Sequence, residues 1–318
     1  MTNNEVDKKV KVVGREEIAE NVVLLTLADP TGADLPEWEA GAHIDIVIDV
    51  DTARQYSLCS SPKNRKQYQI AVLREENGRG GSKHIFDNIK DGQEIVIRGP
   101  RNHFPLATSH TYLFIAGGIG VTPMLPMIEE AEAAGASWQL YYGGHTRKAM
   151  SFVDELSKYG DKVTLVVRDE TDKSLRYRLT ELLETPHGGT QIYCCGPEGL
   201  IEACENGTSH WAKGALHVER FSPQEYDGEN IAFEVELVRS KLNLHVPAER
   251  SIVEVVQDAG IMVLTSCKDG VCGTCETIVL EGEIDHRDSV FNAEEKETAD
   301  SMMICVSRCK GPKLVLDL

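Results

Sequence analysis

Four cysteines restrict what this chain can become more than any other feature. Cys267-Lys-Asp-Gly-Val-Cys272-Gly-Thr-Cys275 sets three of them in the spacing C-x4-C-x2-C, and Cys305 follows thirty positions after the third. Two thiolates per iron hold a [2Fe–2S] unit, and the loop from the first to the third cysteine then has to fold over the inorganic sulfides. Gly270 and Gly273 suit that task, because they let the backbone take positive φ and bring its N–H groups close. Ser266 and Thr274 add hydroxyls of the kind that tune a cluster from outside its ligand set.

The spacing is that of plant-type ferredoxins. Zinc is the chief rival, since thiolates also suit it, but structural zinc sites usually present two short-spaced ligand pairs. Here there is one tight triplet and one distant singleton. A disulfide framework fits less well, because the polar start Met-Thr-Asn-Asn-Glu-Val has no secretory pattern and a cytoplasmic chain keeps its thiols reduced. Cys309 competes with Cys305 for the fourth place, and the familiar distance from Cys275 favours Cys305. Of the nine cysteines, Cys59, Cys194, Cys195 and Cys204 also read as small buried thiols. Such a cluster accepts one electron at a time, so the rest of the chain is expected to be its source.

At 318 residues the chain suits two or three domains, each able to bury a core. A formal net charge of −18 argues against nucleic acid as a partner. Solubility accounts for that charge, and an acidic docking face is the sharper alternative. No apolar run approaches the length of a membrane span.

From Val10 to Pro100, short β-rich runs alternate with turns, among them 21–27, 43–48, 54–59, 68–73 and 94–97. Runs at such intervals with period-two patterning predict a small antiparallel barrel. One stretch breaks the pattern: Asn77-Gly-Arg-Gly80-Gly81-Ser82 leads into a helical segment, with Ser82 as its expected cap. Glycines opening onto a helix N-terminus make an anion site, although a flexible hairpin tip explains the same composition. On the strand Arg54-Gln-Tyr56-Ser57-Leu58, alternation puts Arg54, Tyr56 and Leu58 on one side and Ser57 on the other.

Farther on, the strand 111–116 runs into Gly117-Gly118-Ile-Gly120-Val-Thr122-Pro123 and then an apolar helix, which Thr122 is placed to cap and Pro123 to open. Strands at 138–142, 163–167 and 191–195 alternate with helical stretches and predict a parallel sheet. The last of these ends at Cys195-Gly196-Pro197. Both glycine turns fall at carboxyl ends of strands, where such sheets bind ligands, yet neither is the G-x-G-x-x-G fingerprint.

Together these segments resemble the ferredoxin–NADP reductase superfamily. Arg-x-Tyr-Ser is similar to its flavin motif, the Gly-Arg-Gly-Gly-Ser loop to its phosphate element, and Gly-Gly-Ile-Gly-Val-Thr-Pro and Cys-Gly-Pro to its nicotinamide-nucleotide motifs. The resemblance implies Ser57 near flavin N5, Tyr56 with Leu58 and Ala71 along the ring or ribityl chain, and Arg54, Gly80, Gly81 and Ser82 on the phosphate. It implies Gly118, Gly120, Thr122 and Pro123 near the pyrophosphate and ribose, Cys195-Gly196-Pro197 beside the nicotinamide, and Phe221 over the flavin face. Taken one at a time, a packed tyrosine, a solvated arginine, a buried strand-end cysteine and a core phenylalanine are the plain alternatives.

After a polar stretch, strands at 232–238 and 242–246, a helix at 252–259 and a strand at 276–280 resemble the β-grasp of plant-type ferredoxins. The charged run Glu281 to Asp288 reads as surface and is given no role. The expected division is a flavin barrel at 1–107, an α/β nucleotide domain at 108–223, a linker at 224–231 and a [2Fe–2S] ferredoxin domain at 232–318. In that order the chain resembles the phthalate dioxygenase reductase family. The resemblance implies FMN, NADH as donor, Cys267, Cys272, Cys275 and Cys305 as cluster ligands, a monomer when free, and a Rieske non-haem iron oxygenase as the electron acceptor. A reductase of a cytochrome P450 or a quinone, and a non-enzymatic metal or redox-sensing module, stay open at this point.

Overall fold

The computed structural model describes residues 7–49, 52–172, 174–224, 226 and 228–318. The polar start Met1 to Val6, and Glu225 and Asp227 of the expected linker, lie outside the described residues. The chain divides into two compact units, one ending at Glu219 and the other running Arg220–Leu318.

The first unit opens with β1 (Lys8–Ala19), β2 (Val22–Ala28), β3 (His43–Val47), β4 (Ala53–Ser57), β5 (Gln67–Leu73) and β6 (Glu94–Arg101). They form one antiparallel sheet in the order β4-β3-β6-β1-β2-β5. Its two edges meet: Leu58 bridges Ile70, and the N–H of Cys59 donates to the carbonyl of Gln69 at 2.9 Å. The sheet therefore closes on itself and leaves few unpaired edge groups. Alternation fills the interior, with Val10 and Val12 buried while Lys9, Lys11 and Val13 face out. The helix α1 (Gly81–Asn88) lies against this barrel through buried Ile85.

A parallel sheet follows in the same unit, made of β7 (Thr111–Gly117), α2 (Met124–Ala133), β8 (Ser137–Gly144), α3 (Val153–Ser157), β9 (Val163–Val167), α4 (Leu175–Leu182), β10 (Thr190–Cys195), α5 (Glu198–Thr208) and β11 (Leu216–Glu219). Strand order is β11-β10-β7-β8-β9, every neighbouring pair parallel. Val22, Ala71 and Phe104 pack in one apolar cluster with Phe114, Met127 and Tyr193, so barrel and sheet share a core.

The second unit contains β12 (Phe233–Leu237), β13 (Leu242–Val246), α6 (Ile252–Asp258), β14 (Glu276–Glu281), β15 (Ile284–Asp285), α7 (Ala293–Thr298), β16 (Ser301–Met303), β17 (Arg308–Cys309) and β18 (Lys313–Leu316). Its main sheet runs β13-β12-β18-β14-β16, with β12 and β18 parallel. A capping box between Ser251 and Glu254 starts α6, which buries Ile252, Val253, Val255 and Val256. The three architectures expected from the sequence, antiparallel barrel, parallel α/β sheet and mixed ferredoxin sheet with a helix across it, are all present. Among the described residues no helix is long and apolar enough to cross a membrane.

Candidate functional site

Arg54 lies on β4 against the N-terminus of α1. A Cβ on Gly81 would fall 2.4 Å from Arg54 Nε, so only glycine lets the arginine lie there. Gly80 caps the helix in the left-handed region at φ 85°. A guanidinium beside free helix N–H groups is a fitting cradle for a phosphate. Ser82 differs from expectation: it sits inside the first turn, and its Oγ accepts from the N–H of Glu75 at 3.2 Å instead of capping the helix. Tyr56 is half-buried and packs on the barrel core, and loss of water pushes its phenol well above the usual range. Leu58 and Ala71 are buried.

The two glycine turns of the parallel sheet come together. A Cβ on Gly120 would lie 2.3 Å from the carbonyl oxygen of Cys195, and one on Gly117 would lie 2.7 Å from Pro197 Cδ. Backbone therefore touches backbone at the carboxyl ends of β7 and β10, the ends at which such sheets bind ligands. Thr122 departs from its expected role: α2 begins after Pro123, and the Thr122 hydroxyl donates back to the carbonyl of Ile119 at 2.9 Å. The tight 3-10 turn over Gly118–Val121 brings that carbonyl within reach and takes the hydroxyl. Cys195 is fully buried, and its thiol is pushed well up by burial and then by Glu219.

Glu219 was not anticipated. It ends β11 opposite Cys195, and Ser57 Oγ donates to its carboxyl at 3.4 Å, linking the barrel strand to the nucleotide sheet. Glu219 retains some accessible surface, but the atoms packed around its carboxyl take it out of water and push its pKa up to about 8, while the bond from Ser57 pulls the other way. Phe221 is 41% exposed and belongs to the second unit.

In the second unit the four cysteines of the motif are buried and none is in a disulfide. Cys267 meets both Cys272 and Cys305, and Cys305 also meets Cys275. Hydrogen bonds from Cys272 and Cys305 draw the Cys267 thiol far down, and the same contacts push Cys272 and Cys305 up. Four thiols so crowded ionise together only against a highly charged cation. The contacts run Cys272–Cys267–Cys305–Cys275, a string of four thiols that suits a cluster.

The surroundings fit a cluster as well. The N–H of Asp269 donates to Cys267 Sγ at 3.3 Å, Thr274 Oγ1 lies 3.3 Å from Cys272 Sγ, and the buried Ser266 hydroxyl has no hydrogen-bond partner among the described residues. Gly270 and Gly273 take the positive φ expected of them, 70° and 72°. Cys309 stands apart: burial raises its thiol, and its other influences come from the backbone of Gly311, Lys313 and Glu283 and from the Glu283 carboxylate.

Similarity to known proteins follows the same layout. Residues 9–105 match the oxidoreductase FAD-binding domain family, 100–211 the N-terminal domain of dimethylamine monooxygenase subunit DmmA-like proteins, and 235–310 the 2Fe-2S iron-sulfur cluster binding domain. The phthalate dioxygenase reductase of Burkholderia cepacia is 38% identical over 98% of this chain and 97% of its own length. The chain belongs to the phthalate dioxygenase reductase family. A solved phthalate dioxygenase reductase, described as a modular structure for electron transfer from pyridine nucleotides to [2Fe-2S], superposes with a TM-score of 0.72 at 38% identity, covering 98% of both chains. An intact type IV self-sufficient cytochrome P450 monooxygenase gives a TM-score of 0.91 at 39% identity over 98% of this chain, which spans 41% of that protein. As a member of the family, the chain is an oxidoreductase carrying a flavin and a [2Fe–2S] cluster.

Proposed function

We propose that the chain takes hydride from NADH on FMN and passes the electrons one at a time, through its [2Fe–2S] cluster, to a terminal Rieske-type oxygenase, and that it is a monomer when free. When bound, the flavin supplies the conversion between a hydride and single electrons, and the cluster carries the single electrons onward. The division expected from the sequence, flavin domain at 1–107, nucleotide domain at 108–223, linker at 224–231 and ferredoxin domain at 232–318, belongs to the same proposal.

The chain's own residues bind, orient and hold a proton. Arg54 with Gly80, Gly81 and Ser82 binds the flavin phosphate. Tyr56, Leu58 and Ala71 support the ring, and Ser57 offers a hydrogen bond to N5. Behind Ser57, Glu219, whose pKa burial pushes up to about 8, can when protonated reverse the 3.4 Å contact, its O–H donating to Ser57 Oγ and leaving the Ser57 hydroxyl proton for N5. Gly118, Gly120, Thr122 and Pro123 receive the pyrophosphate and ribose, and Cys195, Gly196 and Pro197 receive the nicotinamide. Cys267, Cys272, Cys275 and Cys305 bind the irons. Cys195 stays a protonated, packed thiol, with no need to act as a nucleophile.

Strand order locates where the adenosine of the donor would lie. The nicotinamide turn follows β10 and the pyrophosphate turn follows β7, so a dinucleotide continuing in that direction lays its adenosine over the ends of β8 and β9. There Arg147 makes a two-point pair with Glu170, at 3.0 and 2.7 Å, and holds that carboxyl below the usual range. While paired, Glu170 keeps Arg147 from acting as the arginine that accommodates a 2′-phosphate, and its carboxylate suits a ribose hydroxyl.

The observation that supports the reading is the 3.4 Å approach of Ser57 to Glu219 beside the joined glycine turns, which fits a flavin strand next to a nicotinamide entrance. The test is a coupled assay. Purified protein should release FMN on denaturation, oxidise NADH anaerobically, and support turnover by a purified Rieske oxygenase. Release of another flavin, or no electron flow to such an oxygenase, contradicts it. The likeness to part of a self-sufficient cytochrome P450 monooxygenase supports a second reading, a haem acceptor, under which the chain would reduce a P450 and leave the Rieske protein oxidised.

A further inference from the structure

Between β15 and α7 the chain reads Asp285-His286-Arg287-Asp288-Ser289, a run whose composition belongs on a surface. Asp288 is instead completely buried. Removing a carboxylate from water costs several kcal/mol unless its oxygens find partners, and here both do. Oδ1 accepts from the N–H groups of Val290 and Phe291 at 3.1 and 2.9 Å. Oδ2 accepts from Ser307 Oγ at 3.3 Å and lies 3.4 Å from His286 Nδ1.

These bonds reach both pieces of chain that carry the thiols. Ser307 is two residues beyond Cys305, and its Oγ also accepts from the N–H of Arg287 at 3.1 Å. On the other side, Ser289 donates its N–H to the carbonyl of Gly270 at 2.8 Å, within the loop between Cys267 and Cys272. A Cβ on Gly270 would stand 3.1 Å from Asp288 Cα and 2.5 Å from Val306 Cγ2, so loop, turn and fourth-cysteine segment pack with no room to spare. Lys296 adds a bond from its ammonium to the Asp288 carbonyl at 2.5 Å.

We propose that Asp288 is a positioning residue for the [2Fe–2S] cluster. Its carboxylate locks the 285–291 turn against the loop of Cys267, Cys272 and Cys275 and against the segment of Cys305, and its buried charge sets the potential at which the cluster exchanges its electron. Outer groups that orient metal ligands act in this way, and a negative charge in a poorly screened interior opposes the arrival of an electron. The inference rests on the iron–sulfur reading of the four cysteines.

The test uses the full-length holoprotein, with wild type, Asp288→Asn and Ser307→Ala compared for iron and sulfide content, midpoint potential and the EPR signal of the reduced cluster. Asparagine keeps an acceptor for the two N–H groups but loses the charge. Asp288→Asn should retain its cluster, shift the potential upward and change the g-values. Ser307→Ala should change the g-values with a smaller shift in potential, and Glu236→Gln, in the exposed pair with Lys313, should match wild type. Unchanged potential and g-values in a fully loaded Asp288→Asn protein overturn the proposal. If that variant fails to fold, the same null result in loaded Ser307→Ala overturns it. A wild type with neither iron nor an EPR signal defeats the cluster reading itself.

Discussion

Glu219 owes its chemistry to its neighbours. In the sequence it is one acidic residue in Leu-His-Val-Glu, indistinguishable from a solvated strand end, and its raised pKa follows from barrel and sheet closing around it. Asp288 was hidden for the same reason, whereas the cluster cysteines were legible because their spacing is itself the constraint. With Glu219 near pKa 8, the folded chain holds a proton between the ordinary carboxylate range and pH 8 that the unfolded chain releases. Its contribution to stability is therefore complete at low pH and is lost as pH rises toward 8. Denaturation midpoints measured from about pH 5 to 9 should fall less steeply in Glu219→Gln than in wild type; parallel curves would contradict this. At the cluster, Cys305→Ser should remove the visible iron–sulfur absorption and Cys309→Ser should leave it, with iron analysis as the check.

Elements were easier to foresee than their ends. Period-two and strand–helix alternation located the barrel and parallel sheet, but β1 begins before the patterned region and α4 was not foreseen. Ser82 and Thr122 looked like helix caps because sequence shows a hydroxyl before a helix and not which carbonyl or N–H lies nearest. The glycine turns carried more reliable information, since close backbone approach leaves few substitutes. Gly120→Ala would push a methyl into the Cys195 carbonyl and should cost about 1–3 kcal/mol, with weaker NADH binding; calorimetry and the KM for NADH test both. At the ends of β8 and β9, Glu170→Gln should release Arg147 for a 2′-phosphate. Its kcat/KM with NADPH should rise about tenfold, corresponding to roughly 1.4 kcal/mol, while that with NADH changes little. An unaltered NADPH/NADH ratio would contradict the assignment.

At the scale of the whole molecule, the chain forms two compact units, the first holding the barrel and the parallel sheet and the second the four thiols. The order of modules was readable because each has its own local signature. How the acidic chain of net charge −18 meets an oxygenase was not, because a docking face depends on the placement of charges in three dimensions. The central claim is that electrons entering as hydride leave through the thiolate-held irons. It is tested most directly by adding NADH anaerobically to the holoprotein, without mediators, while following flavin absorbance and low-temperature EPR. The account predicts that the flavin bleaches and the signal of a reduced [2Fe–2S] cluster then appears, and that in Cys305→Ser the flavin bleaches alone. A cluster that dithionite reduces but NADH never does would contradict it.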